Sequence, residues 1–127
     1  MGHYLLDTNI VSGYLSLLIP ESGLDFIDEI IDDTPRLSVI SQIELLSWQT
    51  EKSVEKKVRE FITDSKIYTL EEDIVVECVE LRRKHKMKTP DALIAATAIF
   101  YKLVLVTNNL KDFSNIKGLK IIDPYHI

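Results

Sequence analysis

Two short apolar runs constrain this chain most. Leu103-Val104-Leu105-Val106 is almost purely apolar, and Tyr4-Leu5-Leu6 nearly so. Strand side chains alternate between faces, so a run without polar alternation reads as a strand buried on both sides, the centre of a parallel sheet covered by helices. Each run stops abruptly, the first at Asp7-Thr8-Asn9 and the second at Thr107-Asn108-Asn109. Open α/β sheets bind ligands beyond the carboxyl ends of their strands, so an acid at such an end is a candidate functional group.

The rest of the chain alternates in kind. His3–Leu6, Leu37–Ile40, Ile67–Leu70, Leu103–Val106 and Lys120–Ile122 read as strands. Apolar residues at 10, 11, 14, 15 and 18 have helical spacing, broken by Pro20 and Gly23. Leu24 to Ile31 gives a second helix, closed by Asp32-Asp33-Thr34-Pro35. Ser41 is expected to open a third helix through about Gln49, and Ser53 a fourth through about Ser65. Glu72 to Lys86 reads as a long amphipathic helix with Ile74, Val75, Cys78, Val79 and Leu81 inward. Thr89-Pro90-Asp91 opens a helix running to about Lys102, and Thr107–Phe113 reads as a polar turn. Strands alternating with helices predict an α/β fold, a mainly parallel five-stranded sheet flanked by helices, with strands one and four as its central pair. The 127 residues suit one domain, 1–127.

Composition narrows the setting. An apolar fraction of 46% and a charged fraction of 28% are those of a soluble globular chain. The nearly apolar stretch Ala92–Tyr101 has about half the length needed to span a bilayer. No signal peptide is visible, and the single cysteine, Cys78, reads as a small core residue, so a reducing, cytoplasmic setting is expected. The net charge of −5 argues against broad electrostatic binding of nucleic acid. Cations are nevertheless concentrated. Arg82, Arg83, Lys84, Lys86 and Lys88 form one group, and Lys52, Lys56, Lys57 and Arg59 a looser second. The first is a candidate nucleic-acid contact. Each group is equally explained as a solvated helix face or end.

Four acids occupy positions of interest, and each has an ordinary explanation. Asp7 could simply cap the helix that follows it. Glu44 stands three residues after Ser41, the spacing of a capping box. Asp91, after Thr89 and Pro90, is an acid in a first helical turn. Asp112 lies in a polar turn that Phe113 anchors. Their joint placement says more, because the ends of parallel strands lie on one side of a sheet. Carboxylates brought to about 4 Å repel by roughly 4 kcal/mol per pair at an effective dielectric near 20. They must share protons or hold a cation. Oxygen-only ligands favour Mg²⁺ or Mn²⁺, and His3, His85 and His126 show no metal spacing. A divalent cation held at a sheet edge suits phosphodiester hydrolysis.

These residues also resemble a known family. Leu6-Asp7-Thr8-Asn9 is similar to the opening motif of PIN domains, the VapC-type toxin ribonucleases in particular. Ile40-Ser41-Gln42-Ile43-Glu44-Leu45 resembles their second acidic motif, and Lys88-Thr89-Pro90-Asp91-Ala92-Leu93-Ile94-Ala95-Ala96-Thr97-Ala98 their third. Val106-Thr107-Asn108-Asn109-Leu110-Lys111-Asp112-Phe113 resembles the fourth. The resemblance covers the whole chain. It implies a PIN-like (Rossmann-like) three-layer sandwich, usually dimeric, that cleaves RNA with Mg²⁺ or Mn²⁺. Carried over by position, Asp7, Glu44 and Asp91 form the acidic, metal-binding core, Asp112 is the fourth catalytic acid, and Asn9, Thr107 and Asn109 support them. Many PIN domains carry aspartate where Asn109 stands, which leaves open whether Asp112 meets metal directly, through water, or only supports the site. VapC-type members are neutralised by an antitoxin. A partner arginine could pair with the carboxylates, and Val11, Tyr14, Leu15 and Leu18 could receive a partner helix or simply be core.

Other readings compete. A receiver-type phosphoacceptor domain shares the fold class, but it needs an acid pair after strand one and an acceptor after strand three. Only Asp7 follows strand one, and Leu70-Glu71-Glu72 is a poor acceptor site. A non-catalytic RNA- or partner-binding PIN domain is the other alternative.

Overall fold

The computed structural model describes residues 3–127; Met1 and Gly2, and with them that end of the expected domain, lie outside it. Five short strands alternate with seven helices: β1 (Tyr4–Leu6), α1 (Thr8–Leu15), α2 (Glu21–Asp33), β2 (Arg36–Ser38), α3 (Val39–Ser47), α4 (Lys52–Thr63), β3 (Lys66–Tyr68), α5 (Glu72–Lys84), α6 (Thr89–Phe100), β4 (Val104–Val106), α7 (Leu110–Phe113) and β5 (Ile121–Ile122). A 3-10 turn, Pro124–His126, follows and has no counterpart in the sequence reading.

Every strand ladder is parallel, as expected. β4 lies between β1 and β5, and β2 pairs with β3. β2 packs beside β1 without joining its ladder, so the five strands divide into a three-stranded and a two-stranded piece. The side-by-side order is β3, β2, β1, β4, β5. The chain steps outward on one side of β1 and then crosses to the other. The reversal falls between β1 and β4, the central pair, and this switch point is where such folds bind ligands.

The alternation of side chains separates two cores. Leu5 and Leu105 join α5 and α6 in one, with Ile74, Leu81, Ile94 and Phe113. Leu6 and Val106 join α1 to α4 in the other, with Ile10, Ile27, Leu37 and Phe61. Adjacent residues of one strand thus face opposite layers, which explains why these strands are apolar throughout.

Helix ends depart from the sequence reading for local reasons. The first helix stops at Leu15, because Leu17 takes a left-handed conformation (φ 61°). Leu18 N–H then bonds Gly13 C=O and Leu17 N–H bonds Tyr14 C=O, a Schellman ending without its usual glycine. Lys102 (φ 57°) ends α6 in the same way. The third helix starts two residues before Ser41, since Ser38 Oγ accepts from Ile40 N–H and is the cap. Thr89 is likewise inside α6 and Lys88 is its capping position, without a side-chain bond. Residues 110–113 of the expected turn form α7.

The terminal turn lies on α2 at close range. A Cβ on Gly23 would stand 1.8 Å from the Pro124 carbonyl oxygen, so only glycine admits this contact.

Candidate active site

The switch point gathers the acids. Asp7 ends β1 and caps α1, so the ordinary reading of that residue is correct as far as it goes. It is also 7% exposed, and both carboxylate oxygens are occupied. Thr8 N–H donates to Oδ1 (2.9 Å), and the buried Thr107 hydroxyl donates to Oδ2 (2.8 Å). Thr107 follows β4, so this bond ties the ends of the two central strands. Asn109 N–H donates to Thr107 Oγ1 (3.0 Å), which fixes the hydroxyl in turn.

Glu44 comes from α3, in its second turn rather than its first. The capping box is therefore excluded, because Ser38 caps and Ser41 lies inside the helix. Ser41 is fully buried against Thr8, and Thr8 Oγ1 bonds Glu44 Oε1 at 2.6 Å. Asp91 stands in the first turn of α6, as expected, half-buried beneath a helix of alanines that packs closely on the sheet. Asp112 is exposed on α7, and Asn109 Nδ2 donates to its Oδ2 (2.9 Å). Phe113 beside it is buried, the anchor the sequence suggested. Asn9 is exposed; its carbonyl accepts from Ser12 Oγ (3.2 Å).

These groups sense one another. Burial holds the Asp7 carboxyl above the ordinary carboxylate range. The Thr107 and Thr8 bonds oppose that, and the charges of Asp91 and Glu44 add to it. Asp91 is raised by burial first, then by Asp112 and Glu44, with Lys88 opposing. The four acids thus lie near enough for the charges of Asp91 and Glu44 to act on Asp7, and those of Asp112 and Glu44 on Asp91.

Among the described residues, none of the four acids pairs with a cation at ion-pair distance. Nor do three metal-ligating side chains close into a ligand shell. The donor set still fits a hard cation. It consists of neighbouring carboxylates, two of them raised in pKa by burial first and by the other acids second, with no histidine or cysteine among them.

The basic group lies beside this edge. Arg82, Arg83 and Lys84 form the last turn of α5, and Lys86 and Lys88 lie between it and α6. Lys88 faces Asp91, Arg82 Nε reaches Met87 C=O at 3.4 Å, and Lys84 pairs with Glu80 at 3.9 Å. The helix-end role is thus filled, and all five side chains remain exposed.

Two inward assignments are wrong. Val75 and Val79 are 41% and 50% exposed, Val76 beside them 55%. Val75 and Val79 line an apolar groove of about 520 Å³ between α5 and α6, together with Cys78, Arg82, Arg83, Thr89 and Leu93. Cys78 is buried at its base, a core residue as expected. Leu18 lies beyond the end of α1 and is exposed; Val11 is core, and Tyr14 and Leu15 are half-buried.

The model of the PIN domain family matches residues 4–119. The chain belongs to the PIN domain family. No curated protein matches it. Among solved structures, a toxin–antitoxin complex from Klebsiella pneumoniae contains a chain 30% identical to this one, at a TM-score of 0.76. That match covers 98% of this chain and 99% of the other. The VapBC2 complex of Rickettsia felis, bound to a promoter DNA fragment, is 25% identical (TM-score 0.77, 94% and 96% covered). The DNA-bound VapBC complex of Salmonella typhimurium is also 25% identical (TM-score 0.77, 98% and 99% covered). This PIN domain is therefore of the VapC type, as the four sequence motifs implied. No helix among the described residues is long and apolar enough to cross a membrane.

Thr8 and Ser41 are the site residues that the sequence reading missed in role. A weak signal existed: Ser38, Ser41 and Glu44 recur every three residues, which marks one helix face.

Proposed function

We propose that this PIN domain, one unit over residues 1–127, is a Mg²⁺- or Mn²⁺-dependent endoribonuclease and the toxin of a toxin–antitoxin pair acting in the cytoplasm. The observation that carries this is Asp7: a buried carboxyl at the switch point, bonded by hydroxyl and amide donors, crowded by two more acids and paired with no cation among the described residues.

Asp7, Glu44 and Asp91 would hold the ion, with Asp112 reaching it directly or through water. The bound ion supplies a Lewis acid for charge developing on phosphate and activates a water. The protein's own work is positioning. Thr107 and the Thr8 amide fix Asp7, the small residues of α6 hold Asp91 against the sheet, and Asn109 holds one oxygen of Asp112. Arg82, Arg83, Lys84, Lys86 and Lys88 offer cations for the RNA backbone beside the acids.

Partners follow from the same reading. An antitoxin would place an arginine on the carboxylates, with the exposed Leu17 and Leu18 after α1 as a contact for its helix. A homodimer would use Val75, Val76 and Val79. α5 begins with Glu72 and Asp73 and ends with Arg82, Arg83 and Lys84, so two antiparallel copies set acid against base.

The test is cleavage of a panel of RNAs with and without Mn²⁺. Asp7→Asn and Asp91→Asn should each reduce metal-dependent cleavage to background while circular dichroism stays native. Undiminished cleavage by both would reject the assignment.

A further inference from the structure

Thr8 bonds to two acids at once. Its N–H donates to Asp7 Oδ1 (2.9 Å), and its hydroxyl donates to Glu44 Oε1 (2.6 Å). The same hydroxyl oxygen lies 2.9 Å from Oγ of Ser41, which is fully buried. A threonine hydroxyl has a single hydrogen, and an ionised carboxylate only accepts. That hydrogen is committed to Glu44, so the Ser41 hydroxyl must donate to Thr8. The hydrogens run one way, from Ser41 to Thr8 to Glu44, and such chains strengthen cooperatively. Glu44 needs the help: it is exposed, and no ion pair holds it among the described residues.

We propose that Ser41 and Thr8 are positioning residues, a hydroxyl relay that turns Glu44 toward Asp7 and preorganises both carboxylates for a divalent cation. The inference rests on the metal-binding reading above. It links two segments far apart in the chain, the start of α1 and the middle of α3, through partners 33 and 36 residues apart. Groups of this kind, which orient ligands without touching the ion, typically change metal affinity by about 10- to 100-fold when removed.

The experiment is calorimetric titration of the full chain with Mn²⁺, without RNA. Thr8→Val should weaken binding by about 10- to 100-fold, and Thr8→Ser, which keeps the hydroxyl, should bind like the wild type. Ser41→Ala should weaken it less than Thr8→Val, since Thr8 keeps its bond to Glu44. Because the relay acts through Glu44, the double variant Thr8→Val/Glu44→Gln should bind no more weakly than Glu44→Gln alone. Wild-type affinity in Thr8→Val, or additive losses in the double variant, would overturn the relay. If Thr8→Val does not fold, Ser41→Ala decides, and wild-type affinity there has the same consequence. Asp91→Asn separates the two levels. Its loss of Mn²⁺ alongside an unaffected Thr8→Val leaves the metal site and removes only the relay. A wild type that binds no Mn²⁺ removes both.

Discussion

Asp7 carries a cost that its hydrogen bonds only partly offset, and this has a measurable sign. Unfolded, its carboxyl has the ordinary value of 3.8; folded, burial raises it. The fold therefore favours the protonated form. That contribution is complete below the unfolded value and is lost as pH rises through the folded one. At neutral pH the ionised Asp7 burdens the metal-free protein. Asparagine avoids this charge, and the Thr107 hydroxyl can turn to accept from the amide. Metal-free Asp7→Asn should thus melt above the wild type at pH 7, with the difference closing as pH falls toward 3.8 in a series of thermal scans. Thr107→Val has the opposite sign. It strips a buried acceptor of its donor and should cost about 1–3 kcal/mol at neutral pH, read from urea unfolding. Asp7, Asp91 and Thr107 were legible in the sequence because strand ends and helix starts are marked locally. The roles of Thr8 and Ser41 were not, because each depends on a partner more than thirty residues away.

At the level of elements, spacing located all seven helical or turn segments between strands, but it could not tell a core face from an open one. Six apolar positions lie on α5, more than the core can cover, and only Ile74, Cys78 and Leu81 go inside. The surplus, Val75, Val76 and Val79, is the surface proposed for a second copy. Val79→Asp should convert a dimer to a folded monomer in sedimentation at fixed concentration; an unchanged dimer would move the interface elsewhere. Caps were misplaced for a related reason. Two serines three residues apart, Ser38 and Ser41, both fit a helix start, and the strand ended at the first. The end of α5 gives a further test. Changing Arg82, Arg83 and Lys84 together to alanine should weaken RNA binding. If all three contact phosphate, the slope of log affinity against log salt should also flatten by about 2, at roughly 0.7 per single-strand phosphate. An unchanged slope assigns these cations to the helix end alone.

For the whole molecule, the parallel order places the acids of four separate segments at one edge, so their repulsion is a property of the fold and vanishes on unfolding. A cation bound there should act on global stability. Ligand bound only by the native state adds RT ln(1 + [L]/Kd), about 2.7 kcal/mol at a hundredfold excess over Kd. Mn²⁺ should therefore raise the melting temperature of the wild type, and a chelator should reverse it. Asp91→Asn lacks one of the charges and should start from a higher metal-free melting temperature, because Asp91 too is held above its ordinary range by burial and by Asp112 and Glu44. It should then gain less from Mn²⁺. The two curves should converge or cross as metal is added. Parallel curves, with equal gains in wild type and variant, would mean that Mn²⁺ binds somewhere other than the edge where β1 and β4 end.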